Sequence, residues 1–148
     1  MSVDTLILVA HRAGARLLTR ARRNAPLALL EEIPHPEGRL REHDLDSDAG
    51  GRVFDRQGGH RHAVAPEHSA TEHEAENFAR TLADRLRDAR VRGECGRIVL
   101  VADARSLGRI RAALDDVTSA LVTQSIDKDL AMLATPELIA TLEENLED

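Results

Sequence analysis

The sequence contains very few aromatic residues and only one cysteine. Tryptophan and tyrosine are absent, and Phe54 and Phe78 are the only phenylalanines, so base stacking on an aromatic platform is not expected. The single Cys95 excludes an internal disulfide. No apolar run approaches the roughly 20 residues that a membrane helix needs. We therefore expect a cytoplasmic protein without membrane insertion, with a core of leucine, isoleucine, valine and alanine.

The length and the net charge further restrict the class of protein and its partners. The chain has 148 residues and a net charge of −6, which predicts one domain over residues 1–148 and no general affinity for nucleic acid. The arginines near the start and the acidic residues near the end indicate solvated faces of opposite sign.

Short apolar or alternating runs predict five strands. These runs are Thr5–Ala10, Ala15–Arg20, Leu27–Ile33, Arg97–Ala102 and Ala120–Ile126. The first and fourth are continuously apolar, which is typical of central strands covered on both faces.

Three helices are predicted from capping and periodicity. Ser69 and Thr71 each stand three residues before a glutamate, which favours a helix from about Glu72 to Val91. Ser106 is a candidate cap for a shorter helix. Thr135 and Pro136 suit the N-cap and first turn of a last helix.

The predicted order is β-β-β-α-β-α-β-α. Right-handed crossovers then give a five-stranded mixed sheet of order 3-2-1-4-5 with helices on both faces. This α/β layout resembles the ribonuclease H-like fold and the middle domain of class-1 release factors. Residues 34–70 show little periodicity and are expected to form a long loop, either functional or disordered.

Five segments together resemble the bacterial family known as protein required for attachment to host cells. They are LILVAHRAGARLL, HDLDSDAGGRVFDRQGGHRHAV, EHEAENFARTLADRL, RIVLVADARSLGRIRAAL and IDKDLAMLATPEL. The resemblance implies a role in bacterial adhesion. It leads to our first hypothesis, a non-enzymatic binding or adaptor protein with a protein partner and no cofactor.

The family is more distantly similar to the middle domain of archaeal and eukaryotic release factors and Pelota, where a Gly-Gly-Gln loop precedes a long helix. Gly58, Gly59 and His60 stand at the comparable place here, and with Arg61 and His62 they form a candidate interaction loop. The second hypothesis is therefore a translation-associated factor acting on the ribosome or on peptidyl-tRNA. The histidine in place of glutamine means that the release chemistry does not carry over.

The ends of the first and fourth strands would be neighbours in such a sheet, which brings His11 near Asp103. With Glu72, Glu74 or Glu76 on the first helix, they would form a magnesium site for a nuclease. His11 stands where family members often have aspartate, and Mg²⁺ prefers oxygen ligands, so this third hypothesis is disfavoured.

Other polar residues give weaker signals. Arg105, Ser106 and Arg109 follow the fourth strand and are candidates for anion binding at a helix start. His60, His62, His68 and His73, with Cys95, lack the paired spacing of structural zinc sites, so we expect no bound metal. Cys95 stands between Gly93 and Gly96, where we expect a turn. Asp127 and Asp129 are expected to lead into the last helix rather than to bind a cation.

Overall fold

The computed structural model describes residues 3–35 and 60–147. Within these residues the elements are β1 Val3–His11, β2 Gly14–Arg20, β3 Leu27–Pro34, α1 His60–Val91, β4 Cys95–Ala102, α2 Ala104–Ala113, α3 Asp116–Ser119, β5 Val122–Asp127 and α4 Thr135–Asn145.

The five strands form one mixed sheet of order β3-β2-β1-β4-β5, which confirms the predicted order. β1, β2 and β3 are an antiparallel meander, while β4 is parallel to β1 and to β5. β1 and β4 are adjacent and central, as their apolar sequences predict, because strands covered on both faces carry no polar alternation.

Helices cover both faces of the sheet. On one face, α1 and α2 pack on β1, β2 and β4, and Leu8, Leu82 and Leu100 lie at the centre of this layer. On the other face, α4 contributes Leu138 and Leu142, which pack against Ile7, Val9 and Val101. Alternate residues of β1 and β4 thus serve opposite layers.

Two arginines connect the helices and the meander. The Arg85 side chain on α1 donates from Nε to Glu31 Oε1 on β3 at 2.9 Å. On the other face, Arg16 on β2 donates from Nη2 to the carbonyl oxygen of Ala131 at 2.5 Å, close to the start of α4. These contacts hold the antiparallel edge of the sheet against both helical layers.

The long helix departs from the prediction at its start. α1 begins at His60 rather than near Glu72, so the part of the expected loop from His60 to Ala70 is helical. Capping residues such as Ser69 also occur inside helices once the preceding chain supplies carbonyl partners, and each added residue then gains one hydrogen bond. Residues 36–59 of the expected loop lie outside the described residues.

Three smaller predictions are also corrected. The cap of α2 is Asp103, whose carboxylate accepts from the Ser106 amide, so Ser106 is inside the helix. The cap of α4 is Ala134, and the Thr135 hydroxyl instead lies 3.5 Å from Arg16 Nη1. Cys95 begins β4 rather than lying in a turn. The bond between Asp103 and Ser106 is local, whereas Arg16, which contacts Thr135, and β1, which pairs with Cys95, come from distant parts of the chain.

The far end of α1 agrees with the prediction. Gly93 has φ 69° and ends the helix, the Gly93 amide donates to the carbonyl of Arg90, and the Glu94 amide donates to that of Ala89, both at 2.9 Å. This pair of bonds is a Schellman motif, in which a left-handed residue satisfies the last helical carbonyls.

Candidate functional site

The carboxyl ends of β1 and β4 lie side by side at one edge of the sheet. Val9 pairs with Val101 in parallel register. Two residues further on, His11 is the last residue of β1 and Asp103 directly follows β4. α1 and α2 cover the same edge from one face. Residues far apart in sequence, from the first strand to the second helix, therefore meet here as the topology predicts.

His11 is held by a local hydrogen bond. The amide of Ala13, in the turn after β1, donates to His11 Nδ1 at 3.1 Å. A nitrogen that accepts cannot carry the proton, so the neutral ring has its hydrogen on Nε2. The half-buried His11 thus offers an N–H donor on the side of the ring that faces away from its own turn.

Asp103 is the polar residue at the end of β4. Its Oδ2 accepts from the Ser106 amide at 3.2 Å. Burial raises the pKa of the Asp103 carboxyl, but hydrogen bonds from the Ser106 hydroxyl and amide and the nearby His11 outweigh burial, and the net pKa is lowered. The geometric basis for this neighbourhood is the parallel register of β1 and β4, which end at His11 and just before Asp103.

A pocket opens beside these residues, between the turn after β1 and the two helices. Its polar lining comes from His11, Arg12, Ser106 and Arg109. Its apolar lining consists of Ala10, Ala75, Phe78, Ala79, Leu82 and Ile110. The pocket therefore combines basic and hydroxyl groups on one side with core side chains on the other.

His35 contacts two residues of the pocket lining, Phe78 and Arg12, and the sequence did not indicate this role. Its ring stacks on Phe78 with centroids 4.2 Å apart and planes within 6°. Its Nδ1 lies 2.6 Å from the carbonyl oxygen of Arg12, the geometry of a donated N–H. Only 8% of His35 is exposed. A lone histidine after Pro34 gives no sequence signal for burial, since its partners are distant in the chain.

The structure separates the predicted anion-binding residues. Ser106 and Arg109 line the pocket, whereas Arg105 is exposed and does not. Of the candidate interaction loop, Gly58 and Gly59 lie outside the described residues, and His60, Arg61 and His62 form the first turn of α1. Glu76 is exposed on α1.

The candidate metal ligands whose side chains are described form no group of three. Among the residues whose side chains are described, no three histidine, cysteine or acidic residues are grouped so as to hold a metal ion. Cys95 starts β4 at the opposite end of the sheet from His11. Burial and the neighbouring Glu94 raise the pKa of its thiol despite Arg85, which disfavours the thiolate that binds metals. Lys128, between Asp127 and Asp129, donates to Asn145 Oδ1 at 3.1 Å.

Helix α1 changes its packing along the part whose side chains are described, from Ala70 to Val91. Within this part the buried residues lie between Phe78 and Ala89: Phe78, Ala79, Leu82, Ala83, Leu86 and Ala89. From Ala70 to Asn77 every side chain is exposed or half-buried. We call residues 60–77 the α1 arm. A helix of that length measures about 27 Å, and it reaches the sheet edge beside the pocket.

These features define an α/β fold with an open mixed sheet, a pocket at its carboxyl edge and a long helix that borders this pocket. A family model described as protein required for attachment to host cells matches residues 6–142. The chain belongs to this family, which confirms the resemblance seen in the sequence. The comparison with curated proteins gave no match. No helix within the described residues has the length and apolarity needed to cross a membrane.

Proposed function

We propose that this chain is a non-enzymatic binding or adaptor protein that supports bacterial attachment to host cells by contacting a protein partner through the α1 arm. The observation that carries the proposal is the change in packing along α1. A 32-residue helix uses its second half for the core, while its first half includes a described stretch, Ala70–Asn77, without a buried residue.

A helical stretch without buried residues gains little stability from tertiary packing. Isolated helices are marginal in water, and most helices in proteins are held by an apolar face. In the described part of the arm, the exposed residues Glu72, His73, Glu76 and Asn77 present a mainly acidic surface. Charge complementarity therefore favours a partner with a basic surface.

An attachment assay with matched charge reversals tests this proposal. A strain lacking the gene is complemented with wild type, Glu76→Lys or Asp84→Lys, and adhesion to host cells is counted. Both residues are exposed and lie inside α1, but Asp84 belongs to the part packed on the sheet. We expect Asp84→Lys to restore attachment and Glu76→Lys to fail at equal protein abundance. Full restoration by Glu76→Lys would contradict the proposed use of the arm.

A translation-associated role is the second candidate. One observation favours this role. The long helix starts at His60, directly after Gly58–Gly59, and a glycine-rich loop also precedes the long helix in the middle domain of release factors. Co-sedimentation with ribosomes separates the two functions. The translation role would replace the adaptor proposal if the protein binds ribosomes and if Gly59→Val abolishes this binding without changing the melting temperature.

A further inference from the structure

A groove opens on the α4 face of the same sheet edge, between the β2–β3 part of the meander and the turn before α4. One wall comes from the start of β2 and the end of β3, and the opposite wall comes from Ala131 and Met132. The groove has a volume of about 390 Å³, within the range of roughly 300–1,000 Å³ that ligand pockets occupy. The pocket bordered by α1 and α2 has only about 20 Å³, so the groove is the better place for a small molecule.

Arg16 is the cation of this groove. It is half-buried on β2, where Nη2 donates to the carbonyl oxygen of Ala131 at 2.5 Å and Nη1 lies 3.5 Å from the Thr135 hydroxyl. Both partners are neutral, and Arg16 has no ion pair among the described residues. A guanidinium carries more N–H donors than these two contacts use, so Arg16 retains donors and an unbalanced charge for an anionic group.

Glu32 is the matching anion. It lies directly opposite Arg16 in the antiparallel register of β2 and β3, and residues paired in this way point to the same face of a sheet. Glu32 is exposed and has neither a hydrogen bond nor an ion pair among the described residues. The contacts of Arg16 draw its guanidinium toward α4. Two opposite charges therefore border the groove without pairing with each other.

The rest of the lining is neutral or apolar. His11 is the third ionisable group, and because its Nδ1 accepts from the Ala13 amide, the neutral ring offers an N–H donor at Nε2. Ile33, Pro34 and Met132 form the apolar part. Met132 is 78% exposed, and a flexible thioether side chain adapts its shape to an apolar ligand. A ligand that covers Met132 gains free energy by removing apolar surface from water.

These features call for a small molecule that has a carboxylate, an ammonium group and an apolar part. Arg16 and Glu32 face each other across one strand pair, where the Cβ atoms are about 5 Å apart, so both charges of the ligand must be close together. A simple anion or a simple amine would use only one of the two residues.

We propose that this groove binds a free α-amino acid with an apolar side chain, with its carboxylate on Arg16, its ammonium group on Glu32 and its side chain against Met132. The site is separate from the α1 arm and lies on the opposite face of the sheet from α1. The proposal therefore does not depend on the attachment role.

Titrations followed by amide chemical shifts test the proposal with four probes: L-leucine, N-acetyl-L-leucine, L-leucinamide and glycine. We expect L-leucine to give saturable shifts at Gly14, Ile33 and Ala131 with a dissociation constant on the order of millimolar, as suits so small a ligand. N-acetyl-L-leucine lacks the ammonium group and L-leucinamide lacks the carboxylate, so each should bind about tenfold more weakly. Glycine lacks the apolar side chain and should also bind about tenfold more weakly.

Two exposed glutamates give a matched pair of variants. Glu32→Gln should weaken L-leucine about tenfold by removing the partner of the ammonium group, and it should not weaken N-acetyl-L-leucine, which has no such group. Glu137 lies in the first turn of α4 and does not line the groove. Glu137→Gln should therefore change the affinity for L-leucine less than about twofold, since an exposed distant charge is screened.

A third variant tests the apolar wall. Met132→Ala should weaken L-leucine but not glycine, because only the leucine side chain contacts this wall. Met132 and Glu32 are exposed, so neither change removes a buried contact, and the amide spectra of both variants should show the native fold.

Several results would overturn the proposal. It fails if L-leucine causes no saturable shift at the groove, or if N-acetyl-L-leucine or L-leucinamide binds as well as L-leucine, because one of the two charges would then be unused. Equal affinity for glycine would show that the apolar wall plays no part. Equal effects of Glu32→Gln and Glu137→Gln would assign the binding to general charge attraction rather than to this site.

Discussion

Leu100 tests the central position of β4 most directly. It is fully buried and pairs with Leu8 of β1 and Ser125 of β5. Its side chain belongs to the layer beneath α1 and α2. Replacing Leu100 with alanine removes three carbon atoms from the middle of this layer, where no solvent can fill the space.

The expected cost follows from burial and packing. Three buried carbon groups at about 0.8 kcal/mol each give about 2.4 kcal/mol in lost transfer free energy. The remaining cavity adds about 24 cal/mol per Å³ that the neighbours fail to fill. Because two flanking strands restrain β4, the layer cannot collapse far, and we expect a total loss of about 3–5 kcal/mol in the free energy of unfolding.

Urea denaturation measures this loss, and Leu30→Ala is the matched control. Leu30 is 52% exposed on the edge strand β3, so the same change of side chain should cost less than about 1 kcal/mol. The slope of the unfolding free energy against urea should stay constant in both variants. A Leu100→Ala loss no larger than that of Leu30→Ala would refute the assignment of β4 to the centre of the sheet.

For three further substitutions the structure determines whether stability rises or falls. Asp103→Ala should cost about 1 kcal/mol at neutral pH by removing the cap on the Ser106 amide. Because the folded-state pKa of Asp103 is lowered, this contribution exists above the unfolded-state pKa and disappears as the pH falls through the folded-state value, so the deficit in urea titrations should shrink between about pH 6 and pH 2. Gly93→Ala should lower the melting temperature by straining φ 69°. Gly108→Ala, in exposed helix with open space around it, should raise stability by up to about 1 kcal/mol. The same sign for both glycine variants would contradict the φ argument.

Much of the fold could be predicted because hydrophobic patterning records burial. The uniformly apolar β1 and β4 indicated central strands, and the order of elements gave the sheet order. Helix boundaries were less predictable, since the N-cap positions are Asp103 and Ala134, where Ser106 and Thr135 were predicted. α3 was not predicted because four residues carry no periodic signal.

Only the part of the candidate site that depends on the order of the strands could be predicted from the sequence. Parallel strands placed His11 beside Asp103, as expected. The sequence offered no means of finding that His35 stacks on Phe78, or that Arg109 lines a pocket while Arg105 does not. Such facts depend on side-chain direction and on contacts between distant segments, which a single sequence does not record.

Hydrogen exchange along α1 tests the division between arm and core. Opening the helix from Ala70 to Asn77 exposes no buried side chain, whereas opening it from Leu82 to Ala89 uncovers Leu82 and Leu86, which are 1% and 0% exposed. The second opening therefore requires loss of the layer on β1 and β4, and its free energy should approach that of global unfolding. We expect protection at Leu82–Ala89 to exceed that at Ala70–Asn77 by at least about 2 kcal/mol, or roughly thirtyfold in exchange rate. Uniform protection along α1 in the isolated protein would show that Ala70–Asn77 is already held by packing, and this result would contradict the use of the arm as a contact surface. Protection of Ala70–Asn77 that rises only when a partner is added would locate the contact on the arm.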